Sequence, residues 1–348
     1  MKRKRKMKYL ISICITSYKR IKELNRCLNS VNTKYKDKVE IVVSEDCSPQ
    51  KDEIRKMVNE FSQTSPFKVV FNSNDNNLGY DRNLKKLQEL SSGEYIFYLS
   101  DDDVIVSGAL DKLVEFIEQS TNKPGLIYGS FWYGPISDMR RKHKESFEIV
   151  SGENSASKYV YDAILFSGLI FRRDCIIELH ADRFKNLNYF QVYMFLHVIE
   201  KYGGYYLDEV MIDSVSDGEN AYGQVESSKA NNHSENVDLA NRDSVFSNLE
   251  FNKGLFKVIK IFDEDNGTSV FAEFSKEYSL RSFGGLCRAR SYGIKTFKKY
   301  WIKLHEMDMD YTKIVHVYYF VLLIFGSKIG EKIFSIPRKA LRKIRGSK

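Results

Sequence analysis

Strand-like and helix-like segments alternate from residue 9 to about residue 130, and this alternation constrains the fold more than any other feature of the sequence. Tyr9–Ile15 and Val39–Val43 are short apolar runs with β-branched residues, which is typical of buried strands. Between them, Ile21–Val31 spaces its apolar residues at helical intervals. Further strand-like segments follow at Lys68–Phe71 and Glu94–Leu99. Repeated strand–helix units predict an α/β domain with a mostly parallel sheet.

Polar residues directly follow three of these predicted strands. Thr16 and Tyr18 come after the first, Asp46 comes after the second, and Asp101–Asp103 come after Glu94–Leu99. Open parallel sheets bind ligands at the carboxyl ends of their strands. We therefore expect these side chains to lie together in a ligand site.

Two common nucleotide-binding motifs are missing from the sequence. No G-x-G-x-x-G follows the first strand, which argues against a dinucleotide-binding domain, and no G-x-x-x-x-G-K-[ST] is present, which argues against a P-loop. The five cysteines include no C-x-x-C pair, so a zinc ribbon or a disulfide framework is not expected. The sheet must therefore bind phosphate in another way.

Three consecutive carboxylates, Asp101–Asp103, offer such a way. Neighbouring carboxylates repel one another unless a cation holds them. A hard divalent cation takes oxygen ligands and shares them with substrate phosphates. This pattern predicts a site for a metal-bound diphosphate. The alternative is an acidic turn that only caps the helix beginning near Ser107.

Five segments carry a family resemblance, and their order and spacing make it specific. They are Ser12–Arg20, Val42–Ser48, Asn77–Asn83, Gly93–Asp103 and Gly168–Arg172. Together they resemble the nucleotide-sugar glycosyltransferases of family 2, which have the GT-A fold. The resemblance extends from about Ile11 to Ile212. Serine before three aspartates is also similar to sugar transferases of bacterial O-antigen and capsule assembly, including the abequosyltransferase-like group.

The resemblance implies donor-binding roles for residues outside the aspartate cluster. Thr16 and Tyr18 match residues that meet the nucleotide base, Tyr18 by stacking on it. Asp46 matches a carboxylate that accepts a hydrogen bond from the base. Arg82 and Asn83 lie in the segment beside the donor phosphates and sugar.

The resemblance also assigns roles within the aspartate cluster. Asp101 matches the residue near the ribose, and Asp102 matches the principal ligand of a divalent metal, Mn²⁺ or Mg²⁺. Asp103 holds the last place of the metal motif and is a second candidate ligand, or a sugar contact.

The implied reaction transfers a sugar from a nucleoside-diphosphate-sugar to a glycan hydroxyl, with inversion at the anomeric carbon. A sugar nucleotidyltransferase is an alternative, although such enzymes usually carry a Gly- and Arg-rich loop where this chain has Thr16–Arg20. A degenerate, non-catalytic protein that binds glycan or membrane is a second alternative.

The position of the general base departs from the family pattern. Many inverting members carry Glu-Asp at the start of a late helix, where the Asp deprotonates the acceptor. This chain has Phe190-Gln191 there, and glutamine does not accept a proton usefully. Gln191 is therefore expected to position the acceptor. Asp182 and His180, on the preceding loop, are the nearest titratable candidates for the base.

The charge distribution separates the ends of the chain from its body. The net charge is +8, while residues 1–8 and 338–348 each carry six Lys or Arg and no acid, so the rest sums to −4. A nucleic-acid binder more often has a positive folded face, so no nucleic-acid partner is expected. Basic ends on an acidic body favour an anionic membrane surface, with solubilising tails as the alternative.

The C-terminal region indicates where the acceptor is presented. Ile314–Phe325 is apolar but too short to span a bilayer, and RKALRKIR after Pro337 forms a basic amphipathic helix. We expect peripheral attachment to the cytoplasmic face of the plasma membrane and a polyprenyl-diphosphate-linked acceptor. Core packing or a homodimer interface is the alternative for the apolar run.

These observations predict four regions along the chain. They are a basic N-terminal tail at 1–8, a GT-A domain at 9–215, a flexible loop at 216–236 and a helical C-terminal region at 237–348 that ends in the basic amphipathic tail.

Overall fold

The computed structural model of the protein describes residues 8–134, 138–215, 235–307 and 309–345. The predicted tail at 1–8, apart from Lys8, lies outside these residues. So does the predicted loop at 216–236, apart from its last two positions.

The strands follow the predicted order in the first half of the chain. The described strands are β1 (Tyr9–Ser17), β2 (Val39–Glu45), β3 (Lys68–Ser73), β4 (Gly93–Leu99), β5 (Val104–Ile105), β6 (Leu126–Tyr133), β7 (Asp138–Arg140), β8 (Phe147–Ile149), β9 (Leu169–Arg172) and β10 (Gly204–Ser214).

The helices separate the early strands and then dominate the C-terminal region. The described helices are α1 (Ile21–Ser30), α2 (Lys51–Thr64), α3 (Tyr80–Leu90), α4 (Ala109–Gln119), α5 (Glu153–Tyr159), α6 (Arg173–Ile176), α7 (Phe190–Tyr202), α8 (Glu235–Asn266), α9 (Val270–Arg281), α10 (Phe283–Ser291), α11 (Ile294–Glu306) and α12 (Lys313–Arg345).

The described strands form one mixed sheet, and this confirms the predicted α/β class. Its main order is β3-β2-β1-β4-β9-β6-β10-β5, with β7 beside β6 and β8 beside β10. β3, β2, β1 and β4 are mutually parallel, and β6 pairs parallel with β10. β9 is antiparallel to both β4 and β6, so it joins the two parallel parts.

Burial on both faces explains why the central strands are almost continuously apolar. Ile11, Ile13 and Ile15 of β1 are fully buried, as is Phe97 of β4. Parallel strands covered by helices on both sides have this composition. At Gly93 a Cβ would lie 2.6 Å from the backbone nitrogen of Ser12, so only glycine permits the close approach of β4 to β1.

The chain divides into two compact units. The first contains Met1–Asn220 and Lys257–Val270, and the second contains Ala221–Phe256 and Phe271–Lys348. The first unit holds the sheet and every residue predicted for donor binding or catalysis. The second consists, in its described residues, of helices.

Candidate functional site

The carboxyl ends of parallel strands bring the predicted donor-binding residues together. β1 pairs with β2 on one side and with β4 on the other. The backbone N–H of Asp46 donates to the Ser17 carbonyl oxygen at 3.0 Å. The N–H of Tyr18 donates to a carboxylate oxygen of Asp101 at 3.2 Å. The segments after β1, β2 and β4 therefore form one continuous site.

Arg20 binds two carboxylates of the aspartate cluster. Its Nη1 lies 2.9 Å from Oδ1 of Asp101 and 3.0 Å from Oδ2 of Asp102. The Ser100 hydroxyl donates to the other oxygen of Asp102. Asp101, Asp102 and Asp103 are 4%, 7% and 2% exposed. The guanidinium therefore neutralises part of a charge cluster that is almost removed from water.

Asp101 and Asp103 have pKa values above those of ordinary aspartates. Burial raises the pKa of Asp101 to about 7, against the lowering effect of the Arg20 guanidinium. Burial, and then the charge of Asp102, raise the pKa of Asp103 to about 7. Two of three carboxyls thus titrate near neutral pH. A cation beside them would favour their charged forms.

The cluster supplies oxygen donors without forming a closed metal cage. Within the described ranges, no three His, Cys, Asp or Glu side chains converge as a metal-binding group. Mg²⁺ usually keeps several waters and is held by one or two carboxylates plus substrate phosphates. Buried carboxylates with only part of their charge compensated fit such a site, in which the substrate completes the shell.

Asp46 fixes the loop that starts helix α3. Its Oδ1 accepts from the Leu78 backbone N–H at 2.7 Å and from Asn74 Nδ2 at 2.9 Å. Its Oδ2 accepts from the Gly79 N–H at 2.9 Å. Gly79 has φ +79°, a left-handed conformation that favours glycine, and α3 begins at the next residue. Asp46 thus links the end of β2 to the segment 77–83.

Asn83 extends the same network beneath the loop. Its amide oxygen accepts from Ser44 Oγ at 2.7 Å and from Asn74 Nδ2 at 3.1 Å, and its Nδ2 donates to the Ser44 carbonyl. Asn83 is 3% exposed. By contrast, Thr16 and Tyr18 are only partly buried at the end of β1. Their side chains lie where a ligand could reach them.

Gln191 and Asp182 occupy different surroundings. Gln191 is 2% exposed, and its Oε1 accepts from the Tyr80 hydroxyl at 3.0 Å while its Nε2 donates to the Ile164 carbonyl at 3.1 Å. The Asp182 side chain is 81% exposed and lies 2.9 Å from Arg82 Nε as an ion pair. His180 is exposed. The structure therefore pairs two of the predicted residues, Arg82 and Asp182, with each other.

Sequence reasoning missed the residues that hold the site together. Arg20 and Asp81 lie inside segments that carry the family resemblance, but nothing in their spacing shows which carboxylate or helix they contact. Ser167 and Ser214 hydrogen-bond to Asp103 from distant parts of the chain. Contacts of this kind become visible only when the topology is known.

The chain is similar to family 2 glycosyltransferases over its first half. Residues 12–176 match the family model for glycosyl transferase family 2. Abequosyltransferase RfbV of Salmonella typhimurium is 30% identical over 115 residues, which cover 32% of this chain and 34% of that protein. An uncharacterized glycosyltransferase of Haemophilus influenzae is 27% identical over 113 residues, covering 32% and 36%. The matched region thus spans about a third of each curated relative.

Solved structures show the same fold at low sequence identity. S. aureus TarS 1–349 in complex with UDP-GlcNAc matches with a TM-score of 0.52 and 14% identity, covering 89% of this chain and 91% of that one. The complex of the same protein with UDP gives a TM-score of 0.50 at 14% identity, with 90% coverage of both chains. These likenesses support the GT-A fold expected from the sequence.

The Arg20 bridge generates a stability prediction. Arg20→Gln removes the guanidinium from two buried carboxylates, so we expect the free energy of unfolding to fall by about 3 kcal/mol. Arg55→Gln is the matched control, because Arg55 pairs with Asp52 on the exposed face of α2 and should contribute less than about 1 kcal/mol. Urea unfolding in EDTA measures both variants. Equal losses of unfolding free energy in the two variants would show that the buried Arg20 ion pairs stabilise the fold no more than an exposed ion pair does.

Proposed function

Since residues 12–176 match the model for glycosyl transferase family 2, we propose that the protein transfers a sugar from a nucleoside-diphosphate-sugar to a hydroxyl of a glycan, with inversion at the anomeric carbon. The observation that carries the proposal is the buried Asp101–Asp103 cluster, which lies at the carboxyl end of β4 beside Tyr18 and Arg20. TarS, which was solved with UDP-GlcNAc, supports a sugar-nucleotide donor, and the abequosyltransferase supports transfer of a sugar.

The donor base and ribose are proposed to bind between the ends of β1 and β4. Tyr18 stacks on the base, Thr16 contacts it, and Asp46 accepts a hydrogen bond from it. Asp46 Oδ2 accepts one bond within the protein, and a carboxylate oxygen can accept two. Asp101, whose carboxylate is already held by Tyr18 and Arg20, contacts the ribose.

The donor diphosphate is proposed to lie between the aspartate cluster and the first turn of α3. Arg82 and Asn83, in the first turn of α3, are proposed to lie beside the donor phosphates and sugar. Asp102 and Asp103 would hold Mn²⁺ or Mg²⁺, and a bound divalent ion neutralises charge on a leaving diphosphate. Arg20 already shares Asp102, so its guanidinium supports the position of this carboxylate.

The acceptor hydroxyl requires a group that takes its proton. Gln191 cannot do so, and its contacts with Tyr80 and Ile164 suit it to a positioning role. We propose Asp182 as the base, because its exposed carboxylate is held beside Arg82. The acceptor oxygen gives its proton to Asp182 and bonds to the anomeric carbon. The bond from that carbon to the phosphate oxygen breaks, and its electron pair leaves with the diphosphate.

The acceptor is proposed to be a polyprenyl-diphosphate-linked saccharide of a surface polysaccharide, reached from the cytoplasmic face of the plasma membrane. Helix α12 supports this location. By length and composition, Lys313–Phe334 could cross a membrane, and this was the single such helix found among the described residues. It extends beyond the twelve-residue run expected from the sequence, and Gly326, with φ +75° and ψ 178°, interrupts it.

We propose that α12 lies in the membrane interface rather than across the bilayer. Exposed Lys313, Lys328 and Lys332 lie on the same helix as the apolar residues and suit an anionic surface. The exposed apolar side chains are Val317, Phe320, Ile324, Phe325, Ile329 and Ile333. The amphipathic segment predicted after Pro337 is helical to Arg345, although its side chains lie outside those described.

The first of three predictions on the proposed function concerns the aspartate cluster. Asp102→Asn should abolish sugar transfer and its activation by Mn²⁺ or Mg²⁺, because the amide loses the charge that a metal needs. The test measures nucleoside diphosphate released from a panel of sugar nucleotides with an acceptor extract. Asp52→Asn, an exposed change on α2, is the control. Normal activity of Asp102→Asn at limiting metal would contradict the metal role. The same assay separates sugar transfer from nucleotidyl transfer, because a nucleotidyltransferase releases no nucleoside diphosphate from a sugar nucleotide and would instead release pyrophosphate when given a nucleoside triphosphate and a sugar 1-phosphate.

The second prediction concerns the base. Asp182→Asn should lower turnover by at least about 100-fold, within the usual range for removing a general base. Gln191→Ala should lower turnover without moving the acid limb of the pH–rate profile, because an amide does not titrate. Asp174→Asn is the control, because it breaks an ion pair with Arg172 outside the proposed site. Full activity of both Asp182→Asn and His180→Ala would rule out both residues as the base.

The third prediction concerns α12. Phe320→Ser with Ile324→Ser should weaken binding to phosphatidylglycerol vesicles, since each buried CH₂ contributes about 0.8 kcal/mol. Deleting 337–348 should weaken it further, and high salt should release part of the intact protein. Ile302→Ser, an exposed apolar change on α11, is the control. No binding at low salt would contradict the membrane role and favour core or dimer packing. Resistance to alkaline carbonate would instead indicate a membrane span.

A further inference from the structure

Three consecutive residues at the start of α3 each contact the segment 182–191. The Tyr80 hydroxyl donates to Gln191 Oε1 at 3.0 Å. Arg82 forms the ion pair with Asp182. Between them, Asp81 accepts from the backbone N–H groups of Asn188 and Phe190 at 2.9 and 3.0 Å. We call this set of contacts, made by residues 80–82, the clasp.

Asp81 is the buried centre of the clasp. It is 1% exposed, and both of its oxygens are used by backbone donors at the N-terminus of α7. Helix α7 has no side-chain cap of its own at Tyr189. A carboxylate at a helix N-terminus satisfies unpaired N–H groups and interacts favourably with the helix dipole. Asp81 therefore caps α7 from another helix.

The turn before α7 depends on this cap for its shape. Asn186 and Asn188 have φ of 65° and 61°, the left-handed region in which asparagine is among the more tolerated residues. Such a turn keeps its conformation only when its surroundings hold it. Asp81 holds it through Asn188 and Phe190. Asp265 accepts from Arg183, which precedes the turn in sequence, and from the hydroxyl of Tyr193, which follows it.

The clasp joins the two functional sides of the proposed site. The loop before Tyr80 is held by Asp46, and Asn83 is tied to Ser44, so the start of α3 is fixed to the end of β2. Segment 182–191 carries the proposed base and Gln191. Contacts 80–82 therefore connect the donor-side helix directly to this acceptor-side segment.

We infer that Tyr80 and Asp81 are positioning residues that set the acceptor subsite by holding segment 182–191 on α3. This inference rests on the proposed function, because the donor side and the acceptor side are defined by the proposed sugar transfer. It predicts that damage to the clasp loosens residues 187–191 and weakens use of the acceptor. Binding of the donor depends on Asp46 and the aspartate cluster, so it should be preserved.

Hydrogen–deuterium exchange of the free protein tests the structural part. In Asp81→Asn, the amides of 187–191 should exchange at least about tenfold faster, because one acceptor oxygen is replaced by an NH₂ donor and the other loses its charge. Asp111→Asn is the matched control. Asp111 lies in α4 and also accepts a backbone N–H, from Lys34, but neither residue belongs to the clasp. Its exchange at 187–191 should equal that of the wild type. Unchanged exchange in Asp81→Asn would overturn the inference.

Steady-state kinetics tests the functional part. Tyr80→Phe keeps the ring that packs edge-on against Phe166 at 5.4 Å and removes only the hydroxyl. The apparent acceptor KM should rise about fivefold, as expected for one lost hydrogen bond, while the donor KM stays at its wild-type value. A raised donor KM with an unchanged acceptor KM, or no change in either, would contradict a positioning role.

The two experiments separate this inference from the proposed function. If the wild-type protein transfers no sugar from any donor, the proposed function fails, and the exchange experiment still decides whether Asp81 holds α7. If transfer occurs but the clasp variants behave like Asp111→Asn, the proposed function stands and the inference fails.

Discussion

The buried negative charge at the end of β4 is the constraint on which the rest of the site depends. Three adjacent carboxylates can be taken out of water only if something compensates them. Arg20 binds two of them, and serines hydrogen-bond to Asp102 and Asp103. The remaining charge is what a metal-bound diphosphate would use. The close pairing of β4 with β1, which Gly93 permits, places Arg20 and Tyr18 against this cluster.

Much of the fold could be predicted from local pattern. Parallel strands covered on both faces are continuously apolar, and the amphipathic helices between them show a clear helical period. The order of strands and helices in the first half of the chain can therefore be predicted from its sequence. The antiparallel insertion of β9 between β4 and β6 could not be predicted in this way. It depends on pairing between segments far apart in sequence, and no local periodicity records which strands become neighbours.

The same distinction applies to the site. Asp46 and Asp101 were expected at strand ends, and the structure brings these ends together. The bond from Tyr80 to Gln191 joins residues 111 positions apart. The bond holds Gln191 in place at the position for which the family resemblance implies a base, in keeping with the positioning role proposed for this glutamine. The strand ends thus form the proposed donor site, and long-range contacts that no sequence pattern shows connect helix α3 to the proposed acceptor side.

The central claim is that the aspartate cluster and the ends of β1 and β2 bind a nucleoside-diphosphate-sugar. A thermal-shift screen of the wild-type protein against sugar nucleotides, with Mn²⁺, Mg²⁺ or EDTA, tests it most directly. A ligand at 100 times its Kd stabilises the native state by about 2.7 kcal/mol. The account predicts that at least one sugar nucleotide raises Tm with a divalent ion and much less with EDTA. No shift with any sugar nucleotide, or equal shifts in EDTA, would contradict it.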